Sequence, residues 1–203
     1  MKTTQASQVE AQFFLADELH PTPAINTITH AVRIKGPLVP DRLARAMAGI
    51  CRRHDVLRSR FAPADGAITR LIDTDAPPPA LALHDAPEHD AAIATACESL
   101  RQGLSPESAA WGMVLLRHGP QDHTFIFSAH RIIWDESSTR ILGQDITQAY
   151  RADADPDQVE LPPGTDVRTT ASLEGPPADD HLSPGARHWA AALADVPLCM
   201  DSH

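Results

Sequence analysis

The sequence predicts an α/β (α+β) sandwich built around one mixed sheet with flanking helices. Segments with helical spacing of apolar residues interleave with segments that alternate apolar and polar residues, and tight turns join neighbouring strand-like runs. At 203 residues, with 42% hydrophobic and 22% charged side chains, the chain has the size and composition of one folded domain. A domain of this length buries enough surface to need no disulfide or metal to hold it together.

The first strong signals are a strand followed by a helix. Residues 26–35 alternate apolar or β-branched with polar side chains, and Gly36-Pro37 ends the run as a strand would end. Residues 40–53 then carry apolar side chains at helical spacing, and Pro40 suits a first turn. The cationic end of this segment, Arg52 to His54, favours a helix C-terminus, because cations are stabilised there.

The remaining elements are predicted in the same way. The sequence indicates a hairpin from 56–62 and 67–73 around Asp65-Gly66, a helix over 88–104, a second hairpin from 111–117 and 123–128 around Gly119-Pro120, and a helix over 137–150.

Composition changes after residue 150, which predicts three regions. Residues 1–150 are expected to form one lobe, and they hold seventeen acids against fourteen bases. Residues 151–184 read as an acidic, Pro-rich linker, and 185–203 as a short helix and tail. Most of the net charge of −10 arises beyond residue 150, where ten acids face three arginines.

Charge and composition exclude several classes of partner and cofactor. An acidic surface repels phosphate backbones, so no nucleic acid is expected, and no apolar stretch is long enough for a membrane partner. The cysteines are odd in number and form no CxxC pair, which favours a reducing, cytoplasmic location over a disulfide framework: Cys51, Cys97 and Cys199. No Gly-rich phosphate loop is present, and three clustered carboxylates lack the glycine and final Glu of a calcium-binding loop, so no metal or directly bound cofactor is expected: Asp153, Asp155 and Asp157.

Four short segments carry a family resemblance. They read SQVEAQFFLADEL from Ser7, AIN from Ala24, CRRHDVLRSRF from Cys51 and AHRIIWDESS from Ala129. In this order they resemble the opening motifs of nonribosomal peptide synthetase condensation domains, and His188-Trp189 resembles the passage towards the second half of such a domain. The resemblance implies the N-terminal lobe of a chloramphenicol-acetyltransferase-like fold, and a partner carrier protein that brings phosphopantetheine-linked substrate to a tunnel between two lobes.

The last segment departs from the motif HHxxxDG that carries chemistry in this family. The second His there deprotonates or orients the attacking amine, whereas this sequence has Arg131, whose guanidinium offers no acceptor lone pair. His130 comes one residue too early, and side chains alternate along a strand, so we expect it to point away from the tunnel as a buried histidine bonded to backbone. No catalytic residue is therefore assigned among the motif positions His130, Arg131, Asp135 and Glu136.

The other motif residues are interpreted as structural. Asp135 either pairs with an arginine, for which Arg58 is the candidate, or caps the helix that follows. Arg53 and His54 of the RRHDVLR segment belong to the same structural set. Glu136 stands where the family has glycine, and a pairing with Arg131 would place two long side chains at the tunnel entrance.

The pattern HRxxxD is similar to degenerate condensation-like domains that recruit other enzymes. These include the glycopeptide recruitment domains that dock cytochrome P450 oxygenases and the interface domains that dock hydroxylases. The first hypothesis is therefore a non-catalytic docking lobe for a carrier protein or tailoring oxygenase. The alternative is an amide- or ester-forming condensation enzyme completed by a second lobe or a homodimer, and a third is an inert remnant or fragment. An exposed apolar patch would favour a missing second lobe.

Overall fold

A computed structural model describes residues 1–19, 23–151 and 184–192 of the chain, and the strands in these ranges form two sheets. The larger is a mixed sheet in the order β2–β7–β6–β5, in which β5 runs parallel to β6 and the other pairs are antiparallel. The smaller is antiparallel in the order β1–β4–β3. The strands are β1 (Lys2–Gln5), β2 (Thr27–Lys35), β3 (Ser59–Ala64), β4 (Ala67–Ile72), β5 (Ala82–Asp85), β6 (Trp111–Gly119) and β7 (Asp122–His130).

The α/β class is confirmed, but the expectation of a single sheet is wrong. The predicted first hairpin forms as β3 and β4, with Asp65 and Gly66 at positive φ in its two-residue turn. This hairpin belongs to the smaller sheet and not to the larger one. Its strand β4 pairs with β1 along the whole of β1, from Lys2 to Gln5. The strand β1 itself is four residues long and mostly exposed, which leaves little apolar pattern to find.

Helices lie on both faces of the larger sheet. Their bounds are α1 (Gln8–Leu19), α2 (Pro40–Arg53), α3 (His89–Gly103), α4 (Glu136–Arg151) and α5 (Pro184–Ala192), with 3₁₀ turns at Pro23–Asn26 and Asp55–Arg58. The bounds of α2 agree with the prediction, and those of α3 and α4 agree to within one residue. The helix α1 and the strand β5 had no sequence prediction.

Successive side chains of β7 point into two hydrophobic clusters, one on each face of the larger sheet. Phe125 and Phe127 face α2 and α4 in the main hydrophobic cluster, where they meet Met47 of α2. Ile126 faces the opposite way and packs with residues of α3. Both faces of β7 are therefore covered, so its side chains are buried almost continuously.

The topology brings the last segment of the motif to one end of this sheet. β7 ends at His130, beside Thr27 at the start of β2, and residues 131–135 lead from β7 into α4. In the ranges that the structure describes, none of the helices combines the length and the apolar composition that a membrane span requires. Most of the predicted linker, residues 152–183, and Cys199 lie outside these ranges, so the boundary after residue 150 stays a prediction.

Candidate functional site

The candidate site is the turn that joins β7 to α4, and three backbone hydrogen bonds fix its start. The His130 N–H donates to the carbonyl of Ala110 at 2.8 Å, and the Arg131 N–H donates to the carbonyl of Asn26 at 2.7 Å. The Ile133 N–H closes the turn on the His130 carbonyl at 3.0 Å. The side chains at positions 130 and 131 are thus held in defined and different surroundings.

The His130 side chain is enclosed by the protein, with 1% of its surface exposed. Its Nδ1 accepts a hydrogen bond from the Ile132 N–H at 3.1 Å, and its Nε2 lies 2.6 Å from Oδ2 of Asp17. This second contact has the distance of an ion pair without the alignment of a hydrogen bond. Asp17 also accepts from Asn26 Nδ2 at 2.6 Å, so the carboxylate ties α1 to the start of β2.

These contacts leave His130 neutral and without a free acceptor. Burial lowers its pKa, and the nearby Asp17 carboxylate opposes that shift. Because Nδ1 already accepts a backbone N–H and Nε2 faces a carboxylate, the imidazole carries its proton on Nε2. The imidazole therefore has no lone pair to take a proton from a substrate.

Arg131 has the opposite environment. Its side chain is exposed, and its guanidinium carbon lies 6.0 Å from the centre of the Phe13 ring on α1. The described residues contain no ion pair between Arg131 and Glu136, so the pairing suggested from the sequence is wrong. The turn therefore presents a cation and hydrogen-bond donors to its surroundings, which suits binding of an anion or carbonyl oxygen rather than removal of a proton.

Asp135 caps α4, which is the second of its two predicted roles. Its Oδ1 accepts from the Ser138 N–H at 2.7 Å and from the Ser138 hydroxyl at 2.6 Å. The Ser138 hydroxyl and N–H bonds hold the pKa of the Asp135 carboxyl below its usual value. The predicted ion pair with Arg58 is wrong, because the donors of Arg58 are engaged elsewhere.

Arg58 instead closes the end of α2. Its guanidinium donates to the carbonyls of Cys51 at 3.0 Å, Arg52 at 3.2 Å and Thr74 at 2.9 Å, and it pairs with the Asp55 carboxylate. Helix C-termini leave carbonyls without intrahelical partners, and an arginine fork satisfies several at once. The third carbonyl belongs to the segment after β4, so Arg58 also links α2 to the smaller sheet.

Arg53 and His54 meet at a buried carboxylate that the sequence did not single out. Arg53 donates to Oδ1 of Asp145 at 2.7 Å, and Nε2 of His54 lies 2.7 Å from Oδ2. The Asp145 side chain is 7% exposed and projects from the middle of α4. The RRH segment therefore joins α2 to α4 instead of facing a substrate.

A second buried pair fixes α1, also without a sequence prediction. The Ser7 N–H donates to Oε2 of Glu10 at 2.8 Å, and the Glu10 N–H donates to Oγ of Ser7 at 3.2 Å, which is a capping box. Oε1 of Glu10 pairs with Arg70 of β4, and burial lowers the pKa of Arg70 to about 10. The pattern Ser-x-x-Glu before an apolar run was the signal available for this helix.

A cluster of aromatic rings and a hydroxyl group packs against the turn that joins β7 to α4. Trp134 packs on Phe127 with ring centres 4.7 Å apart, and its indole N–H donates to Oγ1 of Thr139 at 3.0 Å. The same hydroxyl lies 3.0 Å from Nε2 of His30 on β2. Among the described residues, no group of three His, Cys, Asp or Glu side chains is arranged to hold a metal ion.

This lobe, with its motif turn at the end of a mixed sheet, has the architecture of the condensation-domain N-terminal half. A family model for the condensation domain matches residues 2–197, and the chain belongs to this family.

The chain is similar to parts of longer proteins. A nonribosomal peptide synthetase, penN from Penicillium thymicola, is 28% identical over 144 residues, which covers 70% of this chain and 5% of that protein. The tallysomycin biosynthesis protein TlmII superposes with a TM-score of 0.76 at 23% identity, over 97% of this chain and 48% of that one. The complex of the X-domain and OxyB from teicoplanin biosynthesis superposes with a TM-score of 0.74 at 20% identity, over 100% of this chain and 47% of that one. The chain thus spans about half of each of these two solved chains and a small part of the synthetase.

Proposed function

We propose that this condensation-domain lobe acts in docking within nonribosomal peptide biosynthesis and does not itself catalyse condensation. The observation that carries the proposal is the pair of neighbouring environments at the motif turn. His130 is enclosed with both ring nitrogens engaged, and Arg131 is exposed at the position where the family places its proton acceptor.

The chemistry lost by this arrangement is general base catalysis. A positioned base contributes typically 10² to 10⁴-fold to rate where proton transfer limits the reaction. Asp135 is engaged as a helix cap and Asp145 is held by Arg53 and His54, so neither carboxylate is placed to substitute. The described residues of the turn thus offer no imidazole nitrogen that is free to accept a proton.

The proposed partners are a peptidyl carrier protein, a tailoring oxygenase, or both. A structural neighbour, the teicoplanin X-domain, was solved in complex with OxyB, which supports an enzyme-docking role for this lobe shape. Any phosphopantetheine would arrive covalently attached to the carrier protein, and the lobe itself would bind no cofactor directly. Docking then depends on its surface rather than on the motif turn.

A second candidate is a condensation enzyme completed by another lobe. The chain spans about half of TlmII and of the X-domain chain, and α1 exposes three large apolar side chains that a second lobe would cover: Val9 at 53%, Leu15 at 52% and Leu19 at 86%. In this case substrate positioning would carry the reaction, and Arg131 would stabilise a developing oxyanion.

Acyl transfer and binding, measured side by side, test the two candidates. The assay uses carrier proteins loaded with donor and acceptor, with the chain alone and with a condensation-domain second lobe added, for the natural sequence, Arg131→His and Arg131→Gln. The docking role predicts no turnover above background in all of them, together with capture of a carrier protein or oxygenase from the producing cell. Turnover by the natural sequence that Arg131→Gln removes would overturn it and establish the second candidate.

A further inference from the structure

Helices α2 and α4 carry a positive charge that the rest of the chain does not share. Together they hold six arginines and three acids, a formal charge of +3, whereas the remaining residues account for −13 of the chain's total. One of the three acids, Asp145, is buried between Arg53 and His54. The other two, Asp41 and Glu136, occupy first turns, where the helix dipole favours them.

The two helices pack against each other on the same face of the sheet, with the start of α2 beside the end of α4. The Val39 N–H, just before α2, donates to the hydroxyl of Tyr150 near the end of α4 at 2.9 Å, and Arg42 lies 4.9 Å over that ring. At the other end of α2, Arg53 meets Asp145 in the middle of α4. The helix pair is therefore fixed at two points, which makes its outer face a rigid surface.

Exposed arginines form two stripes on that outer face. On α2 they are Arg45 and Arg52, whose spacing corresponds to about 10 Å along the helix. On α4 they are Arg140 and Arg151, about 16 Å apart along the helix and separated by a shallow surface that includes Gly143 and Thr147. Packed helices lie about 8 to 10 Å apart, so one partner helix can reach the exposed arginines of both α2 and α4.

The size and setting of this face favour an acidic protein over a nucleic acid. A nucleic-acid duplex extends well beyond two helices and would meet other parts of a chain whose remaining residues carry a formal charge of −13, which repels phosphate. A partner helix with carboxylates on one side would gain from the exposed Arg45, Arg140 and Arg151. We infer that the α2–α4 face, defined by these three arginines, is a docking surface for an acidic helix of a partner protein.

The biological partner rests on the proposed docking role, but the surface can be tested without it. The probe is a fluorescein-labelled helical peptide in which Glu recurs at i, i+4, i+7 and i+11, with a Gln version as its control. Binding is measured by fluorescence anisotropy to the full chain, to the variant Arg45→Gln/Arg140→Gln/Arg151→Gln, and to Lys2→Gln/Lys35→Gln/Arg60→Gln. The last variant removes the same charge from other exposed positions.

The Glu peptide is expected to bind the natural chain and the control variant alike, and to bind the α2–α4 variant about tenfold more weakly at about 50 mM salt. That difference should shrink at about 500 mM salt, because exposed charge pairs are screened. Equal affinity for all three proteins, equal weakening by both variants, or no binding to the natural chain would overturn the inference. Tighter binding of a DNA duplex than of the Glu peptide would also overturn the inference.

One further arm separates a partner from the chain itself. Residues 152–183 hold eight acids and one arginine, and they follow directly after Arg151. If the peptide binds only after those carboxylates are replaced by amides, the occupant is the chain's own segment, and the inference of a partner is wrong. None of these measurements detects acyl transfer or needs a carrier protein, so their failure is distinguishable from failure of the proposed function.

Discussion

Replacing Asp145 with Asn tests whether the buried carboxylate is what holds α2 against α4. Asp145 receives Arg53 and His54, each at 2.7 Å, and its side chain is 7% exposed. Asn keeps the size of the side chain and removes its charge. The Arg53 guanidinium, whose side chain is 17% exposed, would then lose its counter-ion in a site that water reaches poorly.

The expected cost is about 2 to 3 kcal/mol of unfolding free energy. A hydrogen bond to a charged group contributes about 1.5 to 3 kcal/mol, and removal of one partner from a fully buried pair costs about 3 to 5 kcal/mol. Arg53 and His54 keep some contact with solvent, which places Asp145→Asn below the upper range. With a urea slope of about 2 kcal/mol per molar for a chain of this size, the midpoint should fall by about 1 M.

The matched control is Asp122→Asn, which breaks an ion pair of similar geometry at the surface. Arg33 donates to both oxygens of Asp122, at 2.8 and 2.5 Å, but the two side chains are 46% and 29% exposed. Solvent screens such a pair, so the midpoint should move at least about threefold less than for Asp145→Asn. Urea unfolding at pH 7.5, followed by the fluorescence of the buried Trp111 and Trp134, measures the midpoint of each variant. Equal shifts would refute the claim that burial decides the difference.

Three further contacts give predictions of the same kind. Asp135→Ala removes the acceptor at the start of α4 and should cost about 1 kcal/mol, with a smaller loss for Asp135→Asn; identical thermal melts for the two would contradict a capping role. Because burial lowers the pKa of His130, the unfolded chain takes up the His130 proton before the folded chain does as the pH falls below about 6.5. Between pH 7.5 and 5.5 the natural chain should therefore lose up to about 1.4 kcal/mol more unfolding free energy than the variant His130→Gln. If the two proteins lose the same amount, His130 does not contribute. Arg58→Lys should cost about 2 kcal/mol in urea unfolding because one ammonium cannot serve three carbonyls, while Arg60→Lys on the surface should leave the midpoint unchanged; equal midpoints would contradict the assigned contacts.

The parts of the fold that the sequence predicted are those with one-sided apolar patterns. The bounds of α2 were predictable because its apolar residues lie on one face and Pro40 begins it. Apolar patterning does not predict α1, because the helix exposes Val9 and Leu15 while it buries Glu10, and only the Ser7–Glu10 capping pattern marks its start. The strand β5 is short and exposed on three of its four residues, and such edge strands leave a weak signal.

The site shows the same division between local and distant causes. The enclosure of His130 was expected from alternation along one strand, but in the structure β7 is buried on both faces, so the covering helices enclose it. The role of Asp145 could not, because it contacts residues ninety-one and ninety-two positions away and resembles an ordinary helix acid in sequence. The wrong pairing of Asp135 with Arg58 arose because the carbonyls at the end of α2 are local partners that a motif comparison does not reveal.

The opposite surroundings of positions 130 and 131 also bear on how such a lobe evolves. His and Arg codons differ by a single nucleotide, and an outward-facing side chain at position 131 can be exchanged with little effect on folding. His130, locked to Asp17 and to the turn backbone, has no such freedom. Under the proposed docking function, a single nucleotide change at position 131 would remove the proton acceptor at little cost to the stability of the fold.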